Sequence, residues 1–186
     1  MKLVLTDPSP LLPTDWSGSH IIYQGVHDGE RMIRALSVEC GETIQLVRDE
    51  DASGGRLSPD GRFLAFDSSR EGTTHVFVQT FPEAHESWKI SSDAGGREPH
   101  WRGDGGELFY LAMDAETTLM ARPWSSDRGP GQAAQPLFQM RTTQHPWGWN
   151  FDVTADGERF LVRRTAGRAE PEPLTMVLNW TAAPGG

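Results

Sequence analysis

Short polar turns followed by apolar, β-branched runs recur along the chain at a near-constant interval. Leu57 precedes the turn Ser58-Pro59-Asp60-Gly61-Arg62 and the run Phe63-Leu64-Ala65-Phe66. The pattern returns at Trp101, before Asp104-Gly105 and Leu108-Phe109-Tyr110, and at Val153, before Asp156-Gly157 and Phe160-Leu161-Val162. A degraded copy, Trp16-Ser17-Gly18-Ser19-His20-Ile21-Ile22-Tyr23, opens the series with a turn about two residues shorter. Anchored on Trp16, Leu57, Trp101 and Val153, the units lie 41, 44 and 52 residues apart. Asp-Gly between two strand-like runs is the dipeptide of hairpin turns, because glycine takes positive φ without a steric penalty. The pattern therefore predicts tight Asp-Gly hairpins at each repeat.

A second apolar run follows each hairpin strand, at 32–38, 75–80, 118–124 and 174–180. His75-Val76-Phe77-Val78-Gln79-Thr80 has the β-branched and aromatic content of a strand. A third short run closes three of the units, at 43–47, 88–91 and 136–139. Four strands in ~40–50 residues is the length of a propeller blade. The fold class predicted is all-β, a single β-propeller domain of about four blades of four antiparallel strands, with units near 14–47, 55–91, 98–139 and 149–180. The fourth unit lacks its last strand, and Lys2 to Leu5 is the candidate to complete it and close the ring. Otherwise the chain is a partial ring of a larger propeller, or two copies pair through open blade edges as a homodimer.

Composition narrows the partners. Seventeen basic against twenty-six acidic residues leave a net charge of −9, which gives no phosphate-neutralising surface, so nucleic acid is excluded as a partner. The longest apolar run, Leu108 to Met113, is far below the ~20 residues that cross a bilayer, so no membrane insertion by this chain is expected. The N-terminal stretch is too short in apolar residues for a secretory signal. One cysteine, Cys40, excludes an internal disulfide and a cysteine-based zinc site.

Ser58-Pro59-Asp60-Gly61-Arg62 with Leu64-Ala65-Phe66, and Gly106-Glu107-Leu108-Phe109-Tyr110-Leu111, resemble the repeats of TolB-type, WD-like β-propellers. With Phe151 to Val162 and Val177-Leu178-Asn179-Trp180, the chain resembles the C-terminal end of the propeller fused to bacterial eukaryotic-type serine/threonine kinases. The resemblance implies an extracytoplasmic propeller of a receptor-like kinase, acting in sensing or protein interaction. It departs from the pattern at Gly18-Ser19-His20, at Arg102-Gly103 and at Ala155. No kinase glycine-rich loop, catalytic loop or Asp-Phe-Gly is present, so no kinase activity comes with it.

The chemistry-bearing residues are few. Asp60, Asp104 and Asp156, each with its glycine (Gly61, Gly105, Gly157), are read as structural turns. Trp16, Trp101, Phe66, Phe109, Tyr110 and Phe160 are read as packing between blades. Asp49, Asp51 and Ser53, with Gly54 and Asp60 at the sixth and twelfth positions, match a calcium loop loosely; a solvated inter-blade loop is the favoured reading. The six histidines lack metal-ligand spacing and are read as partly exposed strand or loop residues; His75 and His100 lie where they could approach each other across blades. His145, Trp147 and Trp149, in the segment that lengthens the last interval to 52, form the candidate binding loop; the competing reading tucks the tryptophans into the adjacent blade. No cofactor and no catalytic residue are expected. The function predicted is a non-catalytic interaction or sensing module with a protein or peptide partner. The alternatives are a small-ligand-binding or hydrolytic enzyme with its site in the central channel, and a truncated propeller without independent function. Perturbed His, Asp or Glu groups converging at one channel mouth would favour the enzyme.

Overall fold

A computed structural model describes residues 5, 9–27, 29–48, 51–140, 149–163 and 175–178, with the backbone alone at 27 and 175–178. The described residues form antiparallel sheets in chain order and no helix. The first sheet runs β1 (Leu12–Ser17), β2 (His20–His27), β3 (Glu30–Ser37), β4 (Thr43–Arg48). The second runs β5 (Ser53–Leu57), β6 (Phe63–Ser68), β7 (His75–Thr80), β8 (Ser87–Lys89). The third has β9 (Gly96–Trp101), β10 (Glu107–Ala112) and β11 (Thr118–Ser125), with the two-residue β12 (Gly129–Pro130) and then β13 (Gln135–Gln139) both paired to β11. The fourth has β14 (Phe151–Val153), β15 (Arg159–Val162) and β16 (Thr175–Leu178). Apart from Leu5, the Lys2–Leu5 segment lies outside the described residues, and closure of the ring is not observed.

Strand periodicity divides the core. Phe63 and Ala65 of β6 pack toward the third sheet with Trp101, Leu108, Tyr110 and Trp124, while Leu64 and Phe66 pack toward the first with Ile22, Ile33 and Ala35. Leu108 and Tyr110 of β10 likewise face the second sheet, and Phe109 and Leu111 face the fourth, against Phe151 and Phe160. Sheets covered on both faces explain why these strands read as continuous apolar runs instead of alternating ones.

The anchors pack backwards. Leu57 joins the core shared with the first sheet, Trp101 that shared with the second, and Val153 that shared with the third. Trp16 has no preceding sheet among the described residues, and it is 70% exposed. Its expected place in the core is therefore corrected; the other five aromatics are buried as read.

The Asp-Gly turns are longer than two-residue hairpins. In each, the residue after the anchor donates its N–H to the first residue of the next strand: Ser58 to Phe63, Arg102 to Glu107, Thr154 to Arg159. A second bond closes the turn, from Gly61 to Ser58, Gly105 to Arg102 and Gly157 to Thr154. Only the glycines take positive φ, at 69°, 73° and 76°. The aspartates act through their side chains, accepting the N–H two residues on, from Arg62 (3.1 Å), Gly106 (2.8 Å) and Glu158 (3.0 Å). Asp60 also accepts from Ser58 Oγ and, across the sheets, from Ser126 Oγ at 2.5 Å. Asp60→Ala is expected to lower unfolding free energy by about 1 kcal/mol, read as a lower urea midpoint with unchanged slope.

Candidate functional site at the convergence of the inner strands

β1, β5, β9 and β14 are the first strands of their sheets, and β5 packs against both β1 and β9. Because side chains alternate along a strand, the residue before each anchor faces opposite to it. Those residues are Asp15, Arg56, His100 and Asp152. The structure brings them together. Arg56 of the second sheet lies within electrostatic reach of a carboxylate from each of the other three: Asp15, Glu98 and Asp152. Burial pushes the Arg56 guanidinium below its ordinary range, and those three carboxylates act against the shift.

Trp149 packs at the same place. The Arg56 guanidinium carbon sits 4.4 Å from the centre of its ring, a cation–π arrangement. His100 meets the Trp149 ring edge-on at 5.2 Å and lies tilted against Phe151 at 4.4 Å. A side chain at Gly54 would come within 3.1 Å of the indole, so glycine permits this approach.

Around this centre runs a buried hydrogen-bonded chain. Ser53 Oγ donates to Asp67 Oδ1 at 2.6 Å, and the Glu98 N–H donates to Asp67 Oδ2 at 3.2 Å. The Glu98 carboxylate accepts the Asn150 N–H at 2.7 Å and the Asn150 Nδ2 at 2.6 Å. Glu98 and Asn150 are themselves equivalent positions, three residues before their anchors. Glu98 has φ of 56°, a left-handed backbone that a non-glycine residue adopts only when its surroundings hold it; Asp67 and Asn150 do so from both ends.

Burial pushes the Asp67 carboxyl up to about 6 despite its two donors. Burial pushes His100 down to about 4, with Asp152 opposing. His100 Nδ1 lies 3.6 Å from Asp152 Oδ1, on the side of an exposed carboxylate that its proximity holds below the usual range. Burial also raises Asp15, whose Oδ2 accepts the Leu57 N–H at 2.8 Å. Three buried polar atoms of the cluster have no hydrogen-bond partner among the described residues: Arg56 Nε, His100 Nε2 and Asn150 Oδ1.

Of the residues singled out in the sequence, Trp149 belongs to this cluster, while His145 and Trp147 lie outside the described residues. Asp49 does too; Asp51 is exposed, the Ser53 hydroxyl donates to Asp67, and Asp60 is held in its turn. Among the described residues no three His, Cys, Asp or Glu side chains are placed to hold a metal. His75 and His100 are buried, not partly exposed, and they serve different places: His75 Nδ1 pairs with Ser91 Oγ at 3.0 Å. Arg56, Asp67, Glu98, Asn150 and Asp152 were not singled out from sequence, and His100 was named there only as a possible neighbour of His75. The signal for all of them but Asp67, and for Asp15, was the repeat alignment itself, read one and three residues before the anchors.

No family model matches this chain. It is 24% identical over 166 residues to the uncharacterized protein Atu1656 of Agrobacterium fabrum, covering 82% of this chain and 55% of that one. In structure it is similar to TolB from Acinetobacter baumannii, with a TM-score of 0.71 at 16% identity over 96% of this chain and 43% of TolB. It is also similar to the β-propeller domain of the Trilobed protease from Pyrococcus furiosus, described as having an open velcro topology, with a TM-score of 0.58 at 14% identity over 90% of this chain and 53% of that one. The chain thus spans about half the length of the proteins it matches. No helix among the described residues is long and apolar enough to cross a membrane. At these identities the likeness carries the architecture and no chemistry: the chain has a TolB-like β-propeller fold.

Proposed function

We propose that this chain is a non-catalytic recognition module whose contact surface is the mouth formed by Asp15, Arg56, His100, Trp149 and Asp152, and whose partner is a protein or peptide. The observation that carries this is Arg56 held on the face of Trp149. An arginine on an aromatic platform is the composition of interface hot spots. Perturbed groups do converge here, the feature that would favour an enzyme, but Asp67, pushed up to about 6, is occupied by the Ser53 hydroxyl and the Glu98 N–H. His100 would be the base, yet burial keeps its basicity low, near 4, far from the neutral pH at which a catalytic base works best. The excess of acidic residues around the mouth favours a basic or neutral partner. The reading includes the parentage suggested by the repeats, an extracytoplasmic position beside a kinase-type receptor domain.

Selection of a displayed random-peptide library against the folded chain tests it. Peptides enriched on the wild type are expected to bind Trp149→Ala at least about tenfold more weakly, a loss of about 1.4 kcal/mol. Enriched peptides indifferent to Trp149→Ala and Arg56→Met, or no enrichment at all, would refute it.

A further inference from the structure

We infer that two copies of this chain associate, each inserting Trp16 of its first sheet into a cavity on the fourth sheet of the other. The contact lies on a different surface from the mouth and does not depend on the recognition reading. Its ground is the rule by which successive sheets pack. In every sheet the anchor pairs with a residue of the second strand: Trp16 with Ile21, Leu57 with Leu64, Trp101 with Leu108, Val153 with Phe160. The residue after that partner faces the opposite way and receives the anchor of the following sheet. Ile22 shares a core with Leu57, Ala65 with Trp101, and Phe109 with Val153. Those three receiving residues are fully buried, whereas Leu161, their equivalent in the fourth sheet, is 44% exposed.

The place of Trp101 shows what the last sheet offers. Trp101 packs with Phe63 and Ala65 and donates its indole N–H to the Arg56 carbonyl at 3.2 Å. The equivalents of Arg56, Phe63 and Ala65 in the fourth sheet are Asp152, Arg159 and Leu161. All three are exposed, and all three line a cavity of about 190 Å³. Trp16 is the same residue type as Trp101 at the same repeat position, and it is the exposed anchor. Set in the cavity as Trp101 is set on the second sheet, its indole N–H would meet the Asp152 carbonyl and its ring would cover Leu161. The Arg159 guanidinium, standing where Phe63 stands, would lie against that ring.

A second copy is the occupant that matches this pattern. Within one chain Trp16 and Leu161 are both exposed, so they do not cover each other. Each copy carries one uncovered anchor and one uncovered receiving face, so a two-fold pair satisfies both at once and closes. The chain spans about half the length of the proteins it matches, so two copies amount to about one of them. Two contacts, each centred on one indole, make a small interface, with an expected dissociation constant on the order of 100 μM. In dilute solution the chain is then a monomer, and Trp16 adds little to its stability.

Sedimentation equilibrium of the full chain, over a concentration series that spans this value, tests the pairing. The mass is expected to rise from one chain to two and no further. Trp16→Ala and Leu161→Glu are each expected to weaken association at least about tenfold. Both residues are exposed, so neither substitution disturbs the fold of a single chain. Mixed with each other, the two variants are expected to associate again, though more weakly than the wild type, because the first keeps the cavity and the second keeps the tryptophan. The double variant is expected to associate with neither. A wild type that stays at one chain throughout, a mass that grows past two chains, undiminished association of either variant alone, or a mixture that restores nothing would overturn the inference. Contact between two Trp16 side chains, for example, would leave Leu161→Glu unaffected. Peptide binding that depends on Trp149 is read separately and stands or falls on its own.

Discussion

Phe66→Ala is expected to destabilise the chain by about 3–5 kcal/mol, enough to unfold a domain of ordinary stability. Phe66 is fully buried between the first and second sheets, where it stacks on Phe77 at 5.9 Å and packs with Ile22, Ile33 and Leu64. Loss of the ring leaves a cavity that two sheets joined through their strands and turns close only in part. The contrast with Trp16 makes the experiment informative. Trp16 occupies the equivalent of Leu57 and Trp101 but stands 70% exposed. Its replacement by alanine is expected to cost no more than about 0.5 kcal/mol. Urea unfolding followed by tryptophan fluorescence measures both. A cost for Trp16→Ala equal to that for Trp101→Ala would mean that a further sheet covers the first one in solution.

The second large effect is in the pH dependence of stability, where Asp67 and His100 act in opposite directions. The Asp67 carboxyl is raised from 3.8 to about 6, so between about pH 4 and pH 6 the folded chain binds a proton that the unfolded chain has lost. Its contribution to stability therefore falls as pH rises through that window. The His100 ring is lowered from 6.5 to about 4, so between about pH 4 and pH 6.5 the unfolded chain holds the extra proton, and its contribution rises with pH. Each slope is bounded by about 1.4 kcal/mol per pH unit, and in the wild type the two largely cancel. Asp67→Asn is expected to expose the histidine, so that stability relative to wild type climbs from about pH 4 to about pH 6. His100→Gln is expected to expose the aspartate, with stability relative to wild type falling over the same range. Urea midpoints across a pH series give both differences. A pH-independent difference for either variant would show that its residue does not titrate in this window.

The architecture was legible because it is written in local terms. The anchors, Asp-Gly turns and apolar runs recur at one period, and each strand needs only its own residues to be recognised. The turn type was misread, since Asp-Gly signals a two-residue hairpin by its dipeptide, whereas the side-chain bonds of Asp60, Asp104 and Asp156 that stabilise the longer loop depend on residues beyond it. Trp16 was misread because burial of an anchor depends on the sheet before it, a property of the arrangement and not of the residue. The cluster at the mouth was hidden for the same reason. Asp15, Arg56, His100 and Asp152 differ in charge and type, so as individuals they resemble ordinary strand residues. Only their shared place before the anchors, on strands that converge, marks them as one site. Asp67 carries no such repeat signal; its role comes from Ser53 and Glu98 on the neighbouring strands.

The arrangement of Arg56 on Trp149 at the meeting point of the sheets is the centre of this account, and the arginine side-chain N–H spectrum of uniformly nitrogen-15-labelled protein tests it most directly. One Nε–H is expected to exchange slowly with solvent and to lie upfield through the ring current of the indole, to return toward the other arginines in Trp149→Ala, and to move again in Asp152→Asn. Were no arginine Nε–H to respond to Trp149→Ala, the guanidinium would not rest on that ring, and the mouth described here would not exist in solution.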